Sequence, residues 1–243
     1  MKHIFRSLIA LAYLASAATA QAGFVINSFW GAATISLVGC TADGVSATTF
    51  TFTDHATGTA GARKTIVGVS SNDGATNFST STMTVGGVSA TEIIDSANTG
   101  SLVQSSIYII DNPSGTTATI VVTMSEAVEG AAICVWAAYN ISSETATATA
   151  SEFQTSSAAI TLSLNINSGG VGVGMSAVQE NGAATVTWTG MTESSEAIIK
   201  DAVGTASDGS YSSAQTTTAG TPLSVTADWV STTDSIGVSA SFR

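Results

Sequence analysis

The feature that most constrains this chain is a period of two. "TTFTFTD" (48–54) sets Phe50 and Phe52 on one side and threonines on the other. "ATVTWTG" (184–190) opposes Val186 and Trp188 to Thr185, Thr187 and Thr189. "LSVTADW" aligns Leu223, Val225, Ala227 and Trp229, and "IGVSASF" aligns Ile236, Val238, Ala240 and Phe242. Successive side chains of a strand point to opposite faces, so this alternation means strands with one buried row. Turn signals separate them, among them Asp43-Gly44, Asn72-Asp73-Gly74, Gly86-Gly87, Asn181-Gly182 and Asp208-Gly209. Beyond the N-terminus no segment carries a convincing helical period. "TESSEAIIKDA" (192–202) comes nearest and reads equally well as a strand with a polar turn. The expectation is an all-β, jelly-roll-like β-sandwich of about 12 to 14 antiparallel strands.

Such strands need a polar outer row, and charge does not supply it. Charged residues are 9% of the 243-residue chain, against about a quarter in an ordinary protein. The exposed rows must therefore be Ser, Thr, Asn and Gly, which suit strands better than solvated helices. The net charge is −11. Nucleic acid is excluded as a partner, because cations are needed to replace the counterions of the phosphates. After the N-terminal segment the only Lys and Arg are Arg63, Lys64, Lys200 and Arg243.

Residues 1–22 ("MKHIFRSLIALAYLASAATAQA") place Lys2 and Arg6 before a short apolar centre and the small-x-small triplet Ala20-Gln21-Ala22. This is the pattern of a signal peptide cut before Gly23, with a retained hydrophobic N-terminal helix as the alternative. No later segment spans a membrane as a helix. Residues 23–243 are then the β-sandwich. Cys40 and Cys134 remain in it, a disulfide candidate if the chain is exported, while Cys134 in "AAICVWAAYN" also suits a buried free thiol.

The sandwich reads as two similar halves, about 45–140 and 157–243. "TIVGVSS" (65–71) sets against "GVGVGMS" (170–176), Tyr108 against Tyr211, "ATIVVTM" (118–124) against "PLSVTADW" (222–229), and "AAICVWAAY" (131–139) against "DSIGVSASF" (234–242). Most offsets are roughly 103 to 105 positions, one period of a duplicated unit. In the last pair, Ala132, Cys134, Trp136 and Ala138 fill an outer row that Ser239 and Ser241 occupy in the second half. The first-half strand is then covered on both faces, and the C-terminal strand keeps one wet face.

Chemistry is sparse. His55 in "FTDHATG" is the one histidine after residue 22. Asp54 beside it points to the opposite face, and no G-x-S-x-G elbow occurs. Glu92 with Asp95, and Glu193 with Glu196, are the carboxylate pairs a glycosidase would need, and they equally suit solvated edge charges. The loops holding Asp43, Asp73 and Asp208 have the residue types of a structural calcium site without its spacing. No other cofactor is implied. Trp30 and Tyr108 are the aromatics least tied to a core row, hence the stacking candidates for a cell-surface glycan. An outer-membrane barrel would share the export signal and the alternation, but its aromatic girdles and large lipid-facing rows are missing.

"RKTIVGVSSND", "MTVGGVSATEI", "IYIIDNPSGTTATIVVTMSEAVEGAAICVWAAYNI" and "VTWTGMTE" follow one another in an order that resembles a family of β-rich proteins, mostly uncharacterised, found among tailed-phage virion-associated proteins, prophages and marine metagenomic sequences. The resemblance covers roughly residues 45–243. It implies a jelly-roll-like sandwich with a virion or surface-attachment role and brings no site residues. The export signal departs from it, since phage virion proteins assemble in the cytoplasm. The expected function is non-enzymatic: a structural or attachment protein of phage type (tail, fibre or capsid accessory). The alternative is an exported bacterial surface or extracellular protein, either a glycan-binding module or a self-assembling subunit. The expected partners are copies of itself, other structural proteins or a surface glycan, and the expected place is the virion or the cell exterior.

Overall fold

The computed structural model describes residues 31–73, 78–96, 102–111, 114–155, 159–179, 184–200, 209–230 and 233–243. The signal-like segment, Trp30 and Asp208 lie outside these residues. The described chain is all-β, with seventeen strands and antiparallel pairing throughout. The surplus over the expected number comes from short segments that hold too few residues to show a period. The first half holds β1 (Thr34–Asp43), β2 (Ala47–Ala56), β3 (Arg63–Asn72), β4 (Thr80–Val85), β5 (Val88–Ser89), β6 (Thr91–Asp95), β7 (Val103–Asp111), β8 (Thr117–Val128) and β9 (Gly130–Tyr139). The second holds β10 (Ala148–Gln154), β11 (Ala159–Ile166), β12 (Val171–Gln179), β13 (Val186–Thr189), β14 (Thr192–Lys200), β15 (Gly209–Thr216), β16 (Gly220–Trp229) and β17 (Ser235–Phe242).

Each half is a sandwich of an inner five-stranded sheet and a smaller outer one. The inner orders are β1-β9-β3-β7-β6 and β10-β17-β12-β15-β14. The outer orders are β2-β8-β4-β5 and β11-β16-β13. These correspond strand for strand, with β5 the one addition. The inner sheets pack on each other, so the strands of the unit Ala33–Arg243 form a four-layer stack. In the central layer β1 lies over β14, β3 over β12 and β6 over β10. Because β1 corresponds to β10 and β6 to β14, this is the geometry of an isologous two-fold dimer inside one chain.

Three cores follow from the layers. Ile66, Ile107, Cys134 and Trp136 meet Val173, Met175, Tyr211, Val238 and Phe242 between the inner sheets. Phe50, Phe52, Met83, Ile120 and Val122 meet Val67, Tyr108, Ile133 and Val135 in the first sandwich. Ile160, Leu162, Leu164, Trp188 and Trp229 cover the second inner sheet. A strand with both faces covered must be apolar or small throughout, which explains "AAICVWAA" in β9.

The same argument corrects the expected wet face of the C-terminal strand. Ser239 and Ser241 are fully buried, because the second outer sheet lies over them. The repeat alignment was slipped by one residue, and a one-residue slip exchanges the faces of a strand. Cys134 points at the opposite inner sheet, whereas the residue set against it, Gly237, faces Ile160 of the outer sheet. Tyr108 faces its own outer sheet and Tyr211 faces the other half, so these two do not correspond either.

Buried serines have a use here. The second outer sheet brings two indoles, and the inner face beneath them is made of Gly, Ser and Ala. Trp188 Nε1 donates to Ser212 Oγ at 2.6 Å, and Trp229 Nε1 donates to Ser176 Oγ at 2.9 Å. A Cβ on Gly174 would stand 3.0 Å from the Trp188 ring. Small residues make room for the rings, and hydroxyls satisfy their N–H groups. Ser241 Oγ donates to the Asn165 carbonyl at 2.7 Å, while Ser239 Oγ is buried without a hydrogen bond. Ser239→Ala should therefore raise stability by about 1 kcal/mol and Ser241→Ala should lower it by about as much. Urea midpoints of the two variants check this, and a loss in both would refute the assignment.

One cation is structural. Arg63 is 1% exposed, and its guanidinium donates to the Gly58, Ser114 and Gly115 carbonyls and to Thr57 Oγ1 at 2.6–3.2 Å. It ties the β2–β3 connection to the β7–β8 connection. Nothing in the spacing of "GARKT" distinguishes it from Lys64, which pairs with Asp111 and Glu144 at the surface.

Candidate functional site

The carboxylate pairs sit on β6 and β14, equivalent edge strands of the two inner sheets, and Glu92, Asp95 and Glu196 are engaged by the fold. Glu92 Oε2 accepts from the Tyr108 hydroxyl at 2.9 Å, and Asp95 Oδ1 accepts from Gln104 Nε2 at 2.7 Å. Glu196 Oε2 accepts the Val186 N–H at 3.0 Å. Burial, and after it the charge of Glu196, hold Glu193 above the ordinary carboxylate range. Each of these bonds joins an edge strand to a neighbour, which is architectural work.

Tyr108 is 2% exposed, so it is a core residue rather than a stacking platform. Burial, followed by the hydrogen bond and charge of Glu92, pushes its hydroxyl far above the ordinary value near 10. Burial also raises Tyr211. A phenol whose folded pKa lies above its unfolded one stabilises the fold below about pH 10, and that stability is lost as pH rises further. We expect the urea midpoint to hold up to about pH 9.5 and to fall steeply by about pH 11. Tyr108→Phe should flatten the fall, and an unchanged slope in that variant would exclude the assignment.

His55 lies at the end of β2, with Nδ1 3.0 Å from the Ala56 carbonyl. Its neighbour Asp54 has a positive φ of 52°, at an irregularity of the β2–β8 ladder. Of the calcium candidates, Asp43 Oδ1 accepts the Val45 N–H at 3.0 Å and so closes its own turn. Asp73 is buried. Among the described residues no group of three His, Cys, Asp or Glu side chains stands close enough to hold a metal ion. Cys40 and Cys134 are directly opposed on β1 and β9 and are bonded, with an S–S distance of 2.10 Å.

What the fold presents outward is hydroxyl groups in register. On the first outer sheet Thr49, Thr123 and Thr82 stand side by side across three strands, and beside them Thr51, Val121, Thr84 and Ser89 do so across four. On the second, Thr161, Thr226 and Thr189 align, with 3.3 Å between the Thr161 and Thr226 hydroxyls. The described tryptophans, Trp136, Trp188 and Trp229, are all in cores. A groove of about 620 Å³ lies between β1 and β2, lined by residues 38–44 and 51–56. Sequence reasoning overlooked it, because a groove between strand edges depends on which strands are outermost.

The fold defines a class: an all-antiparallel β protein made of two sandwiches stacked through their inner sheets. No family model and no curated protein matches the chain. Among solved structures it is similar to the PBSX exported protein XepA, over 86% of each chain at 10% identity with a TM-score of 0.23. A Red Clover Necrotic Mosaic Virus structure is 12% identical over 86% of this chain and 96% of that one, with a TM-score of 0.21. A Cucumber Leaf Spot Virus structure is 8% identical over 85% and 95%, with a TM-score of 0.22. Likeness of this order carries no argument about function.

Proposed function

We propose that the protein is a non-enzymatic structural or attachment subunit of a phage-type virion. The observation that carries this reading is the division of labour among its polar groups. Carboxylates, buried serines and the buried arginine hold the stack together, and the outward sheet faces offer hydroxyl rows, with Asp228 beside them on the second. Such a surface suits packing against other proteins or against a polar surface. The test is to purify particles from a producing host and quantify this chain by mass spectrometry. A fixed copy number per particle supports the reading, and absence from particles overturns it.

The Cys40–Cys134 disulfide favours a second reading, an exported surface or extracellular component, because disulfides persist chiefly in oxidising compartments and on virion or cell surfaces. The native N-terminus separates the two. A chain beginning at Gly23 is exported, and a chain beginning at Met1 is not.

A further inference from the structure

By the period of two, Asp54 belongs in the buried row of Phe50 and Phe52. Its φ of 52° and the irregularity of the β2–β8 ladder after Phe52 bring it to the surface instead. An aspartate tolerates that backbone, and a break of this kind re-aims a side chain. Asp54 then lines the groove between β1 and β2, with His55 beside it and Asp43 towards the other end. His55 Nδ1 stands 3.0 Å from the Ala56 carbonyl. A carbonyl can only accept, so Nδ1 carries the proton and Nε2 of the neutral ring is left as an acceptor. The ring reaches across to β1, where a Cβ on Gly39 would stand 3.4 Å from its Cε1.

The walls of the groove are the terminal strands of two sheets. Terminal strands turn main-chain donors and acceptors outward. In the second half the counterparts β10 and β11 lie against each other, and the Glu152 carboxylate accepts the Thr161 N–H across the seam. In the first half the walls stand apart, and the carboxylates line the opening. Asp43 Oδ1 holds the turn to Val45, which does not call on its second oxygen. Among the described residues no Lys or Arg lines the groove. The Cys40–Cys134 bond ties the β1 wall to β9, so the groove is preformed, which lowers the entropic cost of filling it.

The geometry points to an extended cationic peptide as the occupant of this groove, lying along β1 with two basic side chains four residues apart. Charge and spacing select it. His55 stands against Gly39, and Asp43 lies four residues further along β1, about 13 Å at the rise of a strand. One basic side chain meets Asp54 and His55, and the other, on the same face of the peptide, meets Asp43. Among the described residues these groups do not converge on a metal ion. Phe52 in the lining is buried, which leaves a sugar without a phenyl ring to stack on. The net charge of −11 draws a cationic partner and repels an acidic one. The inference names a partner for the attachment role proposed above and rests on that reading for biological meaning only.

Fluorescence anisotropy of a dye-labelled KTVTK peptide, titrated with the purified full chain in low salt, is the test. KTVTK should bind, and KKTVT, with the same charge at the wrong spacing, should bind at least tenfold more weakly. Asp43→Asn/Asp54→Asn should weaken KTVTK at least tenfold. Asp111→Asn/Asp228→Asn removes the same charge elsewhere and should change affinity less than twofold. No binding of KTVTK, equal binding of KKTVT, or equal weakening by the two double variants would overturn the proposal. Should Asp43→Asn/Asp54→Asn fail to fold, amide exchange of the native chain decides. Protection of Val38–Asp43 must rise when KTVTK is added, and its constancy refutes pairing along β1. A particle-borne chain that ignores KTVTK would overturn this inference alone, and a KTVTK-binding chain absent from particles would overturn only the virion reading.

Discussion

Reducing the Cys40–Cys134 disulfide is expected to lower stability by about 4 kcal/mol. The bond closes a loop of sequence separation 94, and the chain-entropy cost of a loop of that order is about 4–5 kcal/mol in the unfolded state. It also ties β1, the outermost strand of its inner sheet, to β9 beside it. For a domain of this size the loss amounts to roughly 10 °C in melting temperature. Calorimetry with and without reductant, repeated on the Cys40→Ala/Cys134→Ala double variant, measures it. Coincident melts would show that β9 holds β1 by main-chain bonds and packing alone. The expectation bears on function as well. A chain that needs this bond at its working temperature is confined to places where the bond survives.

Trp136→Ala is expected to cost about 3–5 kcal/mol, the range for deleting a large buried aromatic. Trp136 is fully buried in the layer that joins the two sandwiches, where a Cβ on Gly68 would stand 3.1 Å from its ring and 3.0 Å from Met175 Sδ. Its Nε1 is buried without a hydrogen bond, so the indole contributes through packing. Trp136→Phe should then cost far less than Trp136→Ala, about 1–2 kcal/mol. Trp229→Phe should cost more than Trp136→Phe, because it also leaves Ser176 Oγ without its indole donor. Equal losses for the two Trp→Phe variants would contradict this division. Chemical denaturation followed by circular dichroism distinguishes them without relying on tryptophan fluorescence.

Much of the architecture is legible in short stretches of this chain. Alternation in "TTFTFTD" and "ATVTWTG" specifies strands because the pleat has a period of two, and uninterrupted apolarity in "AAICVWAAY" specifies a strand covered on both sides. The serines misled because polarity was read as exposure. "SIGVSASF" looks half-wet, yet Ser239 and Ser241 are small enough to lie buried beneath the second outer sheet, where Ser241 donates to the Asn165 carbonyl. Tyr108 misled in the same way: its ring is buried and its hydroxyl donates to Glu92, which lies across the β6–β7 pairing and not beside it in sequence.

Local alternation, low charge and turn residues by themselves determined that this chain is an all-antiparallel β protein with hydroxyl-rich outer rows. Tertiary structure alone decided the register between the halves, the central layer where Cys134 and Trp136 meet the second sandwich, and which strands stand at the sheet edges. The reason is that the pleat records which residues share a face of one strand, whereas what covers that face depends on strands a hundred residues away. "AAICVWAAYN" belongs to the centre of the stack, where its cysteine secures the edge strand and its tryptophan joins the two halves.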